Sequence, residues 1–252
     1  MDFVVDGTAD SYARALDGAE VVVLAAGRIN GSLADLEEAN VRSIESMVAA
    51  CERVGVRRIV HVSSAAAHSV HGDYGRTKRR GEELVRSAAV PERAIFRPTL
   101  IYGTGDTKNL ASIRAVVERS PVVPLIGGGR FEVQPVHVDD AVSVLVQATT
   151  AAVREPQYNV AGPAQVTLRR MLELVCAELG VKRLFLPVPL APIQILVRGY
   201  QALVPGTRLP VKQVLELDKH EAFDIAATRR DFDFDPVPFA EGLRRTFADE
   251  RV

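Results

Sequence analysis

Short β-branched runs alternate with helical patterns through the first part of the chain, and this alternation restricts the fold more than any other feature. Phe3-Val4-Val5, Val21-Val22-Val23-Leu24-Ala25, Ile59-Val60-His61-Val62 and Ala94-Ile95-Phe96 are short, apolar and bounded by turn residues, as strands are. Between them, Ser11 to Leu16 reads as a short helical piece. Leu33 to Val54 carries Leu36, Val41, Ile44, Val48 and Ala49 near helical spacing, with Gly55 as its stop. Asp73 is the predicted N-cap of a helix that runs to about Ala88. Strands that are apolar throughout are buried on both faces, and a strand-helix-strand order makes neighbouring strands parallel. The predicted class is therefore α/β, with a parallel sheet covered on both sides.

The rhythm loosens after about residue 105. Leu110 to Glu118 and Asp140 to Thr149 read as helices, the second capped by Asp139. An amphipathic helix is expected over Val166 to Leu179 with Thr167 at its start, and a last helix near Phe239 to Phe247. This suggests a core over residues 1–160, with some later segments folding over it, and a small C-terminal lobe over 161–252.

Composition removes several function classes. The formal net charge is −1, so no global field favours nucleic acid. The two cysteines, Cys51 and Cys176, lie in helical patterns and have no second Cys or His at ligand spacing. We expect core fillers, no metal site and a reducing, cytoplasmic setting. The most apolar stretch, Leu184 to Val204, is interrupted by Pro187, Pro189, Pro192, Gln194 and Arg198, which argues against a membrane span.

The residues that carry chemistry lie at the third of these strands and the helix after it. Ser63-Ser64 follows Ile59 to Val62, at the carboxyl end of a parallel strand, where ligands of such sheets bind. Tyr74 and Lys78 are four residues apart at a helix start and share a face. A phenol of pKa ~10 is a poor proton shuttle at neutral pH. A neighbouring ammonium is expected to lower it, so that Tyr74 could exchange a proton with a substrate hydroxyl while hydride moves to or from a nicotinamide. Ser64 could hydrogen-bond the same oxygen.

These residues and the segments on either side of them resemble the extended and atypical short-chain dehydrogenase/reductases, the group of NAD-dependent epimerases and dehydratases. Ser64, Tyr74 and Lys78 match the family's catalytic trio. Val21 to Gly27 is similar to its fourth strand and Ala-Ala turn, and Asn40-Val41 sits where the family has an Asn supporting the nicotinamide end. Arg97-Pro98-Thr99-Leu100-Ile101-Tyr102-Gly103 resembles R-P-x-x-x-Y-G, whose Pro region borders the nicotinamide. Gln134 to Asp140 and Tyr158 to Gly162 resemble two later family segments. The resemblance implies a Rossmann-like sheet, a homodimer and a small-molecule substrate such as a nucleotide-sugar. It also implies NAD or NADP held by Asp6, Gly7, Ala25, Ala26, Gly27, Asn40, Lys78, Pro98 and Thr99.

Two departures qualify it. No G-x-G-x-x-G loop precedes Val21, although phosphate binding in this family uses one, and the chain begins at what resembles the family's third strand. We expect an N-terminally truncated form of a longer protein, in which Val21 to Ala25 is an open apolar edge. The short gap from Ser64 to Tyr74 also leaves little room for the substrate loop of sugar epimerases. The alternative expectation is a non-catalytic binding or assembly protein that keeps the fold. It draws on the likeness of Gln134-Pro135-Val136 and Asn159 to Pro163 to relatives of the 39-kDa complex I subunit.

Overall fold

The computed structural model describes residues 7–69, 72–189 and 222–249. Phe3 to Val5, Asp6, His71 and most of the apolar stretch up to Val204 lie outside the described residues. Along the chain run α1 (Ala9–Ala15), β1 (Val21–Leu24), α2 (Leu33–Glu37), a π turn (Glu38–Arg42), α3 (Ser43–Val54), β2 (Arg58–Val62), a 3-10 turn (Ala65–His68), α4 (Asp73–Ser87) and β3 (Glu92–Pro98). They are followed by β4 (Ile101–Tyr102), α5 (Asn109–Arg119), β5 (Val122–Ile126), β6 (Glu132–Val133), β7 (Val136–His137), α6 (Val138–Gln147), β8 (Tyr158–Val160), β9 (Val166–Thr167), α7 (Leu168–Glu178), β10 (Leu184–Val188), α8 (Ala226–Phe232) and α9 (Phe239–Asp249).

Two compact units are interleaved along this order. The first holds the described residues up to Thr99, with Asp140–Ala161 and Asp224–Asp235. The second holds those of Leu100–Asp139, Gly162–Phe223 and Pro236–Val252.

The first unit is built on a four-stranded sheet in the order β1-β2-β3-β8. Every pair is parallel, with Val22 opposite Ile59, Val60 opposite Ala94 and Phe96 opposite Tyr158. Parallel strands bring their carboxyl ends to one side, so Leu24, Val62, Pro98 and Val160 end together. The α/β expectation is met, and β1 is the end strand of this order, with Val23 43% exposed.

Local chemistry explains the helices. The Ser32 hydroxyl accepts from the Asp35 N–H while the Asp35 carboxylate accepts from the Ser32 N–H, a reciprocal cap that starts α2. Gly55, at φ 72°, takes the left-handed conformation that stops α3. Val22, Leu24, Ile44, Val48, Cys51, Ile59, Val85 and Ile95 fill the space between sheet and helices. Burial of Cys51 in that cluster pushes its thiol up to about 11, as expected of a core filler. Phe96, Tyr158 and Phe232 pack ring to ring at 4.8–5.3 Å.

The second unit packs α5, α7 and α9 around Tyr102, Leu110, Val117, Leu125, Met171, Val175 and Leu243. Thr167 caps α7, its hydroxyl accepting from the Arg170 N–H at 3.1 Å, and Val166–Thr167 itself is strand rather than helix. Two expected caps fall elsewhere. Gly72, at φ 86°, precedes α4, and Asp73 lies in the first turn, where its carboxylate meets Arg76 at 3.1 Å. Asp139 lies inside α6, which begins at Val138 directly after β7. Its N–H donates to Nδ1 of the buried His137 at 3.4 Å, so these residues do turn chemistry within the fold.

Candidate active site

Ser64 ends the extended run of β2 and opens the 3-10 turn, its Oγ accepting from the Ala66 N–H at 3.2 Å. The same hydroxyl acts on the Tyr74 phenol, which α4 presents from its first turn, pulling its pKa down. One turn later the buried Lys78 donates from Nζ to the Val62 carbonyl at 2.8 Å. The three residues expected from sequence are therefore gathered at the carboxyl end of β2.

Gly75 makes this approach possible. A Cβ at that position would lie 2.3 Å from the Ala66 carbonyl oxygen, a backbone atom of the turn that carries Ser64. Gly75→Ala is expected to lower stability by about 1–3 kcal/mol through overpacking and to part Tyr74 from Ser64. Chemical denaturation would measure the first effect. An unchanged midpoint would mean that the turn yields freely.

Asn40 organises the other side. It sits in the π turn, the kind of helix irregularity that recurs at functional sites, and is 1% exposed. Its Oδ1 accepts from the Arg28 N–H at 2.9 Å. Its Nδ2 donates to the Arg28 carbonyl at 2.8 Å and to the Thr77 hydroxyl at 3.1 Å. Thr77 passes the link on by donating to the Tyr74 carbonyl at 2.9 Å. One side chain thus ties the loop after β1 to the helix bearing Tyr74 and Lys78. Gly27 in that loop lies close beneath: a Cβ there would be 3.0 Å from Asn40 Oδ1 and 3.5 Å from Lys78 Nζ.

Protonation follows from burial. Burial pushes the Tyr74 phenol above its ordinary value, and the Ser64 hydroxyl pulls only partly against it. This corrects the expectation that Lys78 depresses Tyr74. The Lys78 ammonium is directed at a backbone carbonyl, and its own pKa is pushed down to about 8 by burial. Tyr74 therefore holds its proton at neutral pH.

The remaining sequence candidates are spread more widely. Ala25, Ala26 and Gly27 are exposed at the carboxyl end of β1. Pro98 ends β3 and is buried, and the Thr99 N–H donates to the Val160 carbonyl at 3.0 Å. Gly7 is an exposed turn glycine at φ 84° ahead of α1, with open space where a side chain would point, and Asp6 lies outside the described residues. Gly27, Asn40 and Lys78 are thus brought together, while Pro98 lies at the carboxyl end of the neighbouring strand β3. Sequence reading missed Gly75, Thr77 and Glu82. Helical spacing from Tyr74 was the signal available for Thr77 and Glu82, whereas Gly75, the next residue along, carried none.

The NAD dependent epimerase/dehydratase family model matches residues 7–161. The chain belongs to this family. Within it, the chain is an extended short-chain dehydrogenase/reductase. It is similar to ceramide reductase of Caulobacter vibrioides (36% identical over 141 residues, 56% of this chain and 44% of that protein). It is also similar to NADH dehydrogenase [ubiquinone] 1 alpha subcomplex subunit 9, mitochondrial, of Arabidopsis thaliana (30% over 192 residues, 74% and 47%). A third relative is 2-alkyl-3-oxoalkanoate reductase of Stenotrophomonas maltophilia (26% over 248 residues, 85% and 75%). The alignments span less than half the length of the first two relatives.

Among solved structures, dTDP-glucose 4,6-dehydratase from Streptomyces venezuelae superposes with a TM-score of 0.75 at 20% identity, covering 98% of this chain and 78% of that one. UDP-glucose 4-epimerase from Thermotoga maritima gives 0.75 at 17% identity, covering 98% and 83%. These likenesses show the Rossmann-like fold. Among the described residues no helix is long and apolar enough to cross a membrane, and no group of three His, Cys, Asp or Glu is placed to hold a metal ion.

Proposed function

We propose that this chain carries the proton-transfer half of an NAD(P)-dependent carbonyl reductase, and that its substrate is a ketone on a largely apolar small molecule. The observation that carries this reading is the gathering of Ser64, Tyr74 and Lys78 at the end of β2, with Lys78 Nζ held on the Val62 carbonyl and burial pushing the phenol toward its protonated form. A protonated Tyr is an acid, and the step that uses an acid is reduction: Tyr74 gives its proton to the carbonyl oxygen as that oxygen gains charge. Reduced nicotinamide, when bound beside Lys78, would supply the hydride that such a reduction needs. The phenolate left behind is held by the Ser64 hydroxyl and recovers its proton from solvent.

Lys78 uses one N–H on the Val62 carbonyl, which leaves two donors for ribose hydroxyls. Gly27 lets the loop after β1 approach that ammonium, and Asn40 holds the loop in place. Two of the relatives are named as reductases, of ceramide and of 2-alkyl-3-oxoalkanoates, which supports a keto group on an apolar molecule. Nucleotide-sugar enzymes share the fold, but the few residues between Ser64 and Tyr74 favour the simpler ketone. The expectations of a homodimer and a cytoplasmic setting belong to this same reading.

Calorimetric titration with NADH and NADPH tests the cofactor, and absorbance at the reduced nicotinamide band tests turnover of long-chain 3-oxo compounds. Micromolar binding of one cofactor with turnover is expected. No heat with either cofactor would overturn the reading. Binding without turnover of any carbonyl would favour a non-catalytic role, the second reading, which the likeness to the Arabidopsis complex I subunit supports.

A further inference from the structure

Glu82 is fully buried on α4, one turn beyond Lys78. Its carboxylate accepts from the Ser63 hydroxyl at 2.6 Å, from Arg97 Nε at 2.7 Å and Nη2 at 2.6 Å, and from Arg86 Nη2 at 3.0 Å. Ser63 directly precedes Ser64, and Arg97 directly precedes Pro98. One carboxylate therefore grips the ends of β2 and β3 at the positions next to the residues assigned to substrate and nicotinamide. The two-pronged Arg97 contact fixes direction as well as distance.

The charges around this point can be named. On α4 they are Lys78 and Arg86, and on β3 Arg97. On β2 His61 is 1% exposed, and neither ring nitrogen makes a hydrogen bond of ordinary geometry. Burial first, and Lys78 second, push its pKa down to about 3, so His61 is neutral at working pH. His68, in the turn after Ser64, lies 3.1 Å from Arg97 Nη1 on the side away from the carboxylate. Glu82 is the negative group in this set.

We propose that Glu82 is a positioning residue of the Ser64–Tyr74–Lys78 site, clamping α4 to the ends of β2 and β3 and supplying the counter-charge to the Lys78 ammonium. The assignment rests on the reading of that trio as the catalytic group, but its test needs no turnover. Burial drives Lys78 down, and Glu82 is the group that pulls it back up. Glu82 stands four residues from Lys78 on the same helix, so its charge reaches that ammonium, and the Lys78 titration reads that reach directly.

The decisive experiment is an NMR pH titration of the Lys78 side chain in the full chain carrying 13C-labelled lysine, the resonance being assigned by its loss in Lys78→Met. Glu82→Gln keeps an acceptor for Ser63 and removes the charge. It is expected to lower the Lys78 midpoint by about one pH unit or more. A midpoint unchanged from wild type overturns the proposal even if the variant melts earlier. Should Glu82→Gln fail to fold, reciprocity supplies the second reading: Lys78→Met must raise the Glu82 carboxyl midpoint by the same amount, and an unmoved carboxyl overturns the proposal equally. Failure of the reductase reading would show separately, as no heat with either cofactor or no turnover of any carbonyl, and would leave these midpoints where they are.

Discussion

Tyr74→Phe is expected to lower turnover by about a thousandfold while NADH or NADPH affinity changes less than about twofold. Phe fills the same space in the first turn of α4, so the helix and Lys78 stay where they are. What disappears is the phenolic proton and the oxygen on which the Ser64 hydroxyl acts. Ser64 is only half-buried and keeps its bond from the Ala66 N–H, so the stability change should stay near about 1 kcal/mol. The wild-type pH profile should agree. Reduction needs Tyr74 protonated and Lys78 charged. Tyr74 is pushed upward and Lys78 down to about 8, so Lys78 sets the alkaline limb. Activity should hold below that value and fall as pH rises through it. Steady-state kinetics on the variant decides the matter: more than a tenth of wild-type turnover would remove Tyr74 from the chemistry.

Asn40→Ala is expected to cost about 2–3 kcal/mol of stability and to weaken nicotinamide binding at least tenfold. The substitution strips one buried amide from three partners at once: the N–H and the carbonyl of Arg28 and the hydroxyl of Thr77. Ala supplies no replacement donor or acceptor. The loop from Ala25 to Arg28 then loses its tether to α4, and Gly27 loses its fixed approach to Lys78. Asn40→Asp should not rescue, because a carboxylate can accept from the Arg28 N–H but cannot donate to its carbonyl. Denaturation with calorimetry reads both effects. A variant matching wild type in both would show that the loop is held by other contacts.

Family membership and the parallel sheet were legible because they depend on local pattern. Apolar runs made β1, β2 and β3 recognisable, while their register came only from the pairing in the folded sheet. The trio of Ser64, Tyr74 and Lys78 was legible because helical spacing puts two of its members on one face. The caps were less so. Asp73 and Asp139 have the right chemistry for a cap, but α4 starts from the positive-φ glycine before it, and α6 follows β7 without a gap. The division into units was not legible either, since each draws on three separate stretches of chain.

What the sequence determined by itself is whatever neighbours along the chain decide: which runs are strands, that Thr167 starts α7 and Gly55 stops α3, and that Tyr74 and Lys78 face the same way. What only the tertiary structure decided is whatever depends on burial and on distant partners. Asn40 bonds across 12 and 37 positions and Glu82 across 15 and 19, separations that carry no periodic signature. The direction of the Tyr74 shift is the clearest instance. Spacing alone suggested a depressed phenol beside an ammonium, but desolvation outweighs the pull of Ser64 on this half-buried phenol and the ammonium is directed at a carbonyl. The charge that best opposes the desolvation of Lys78 is Glu82, one turn further along the same helix.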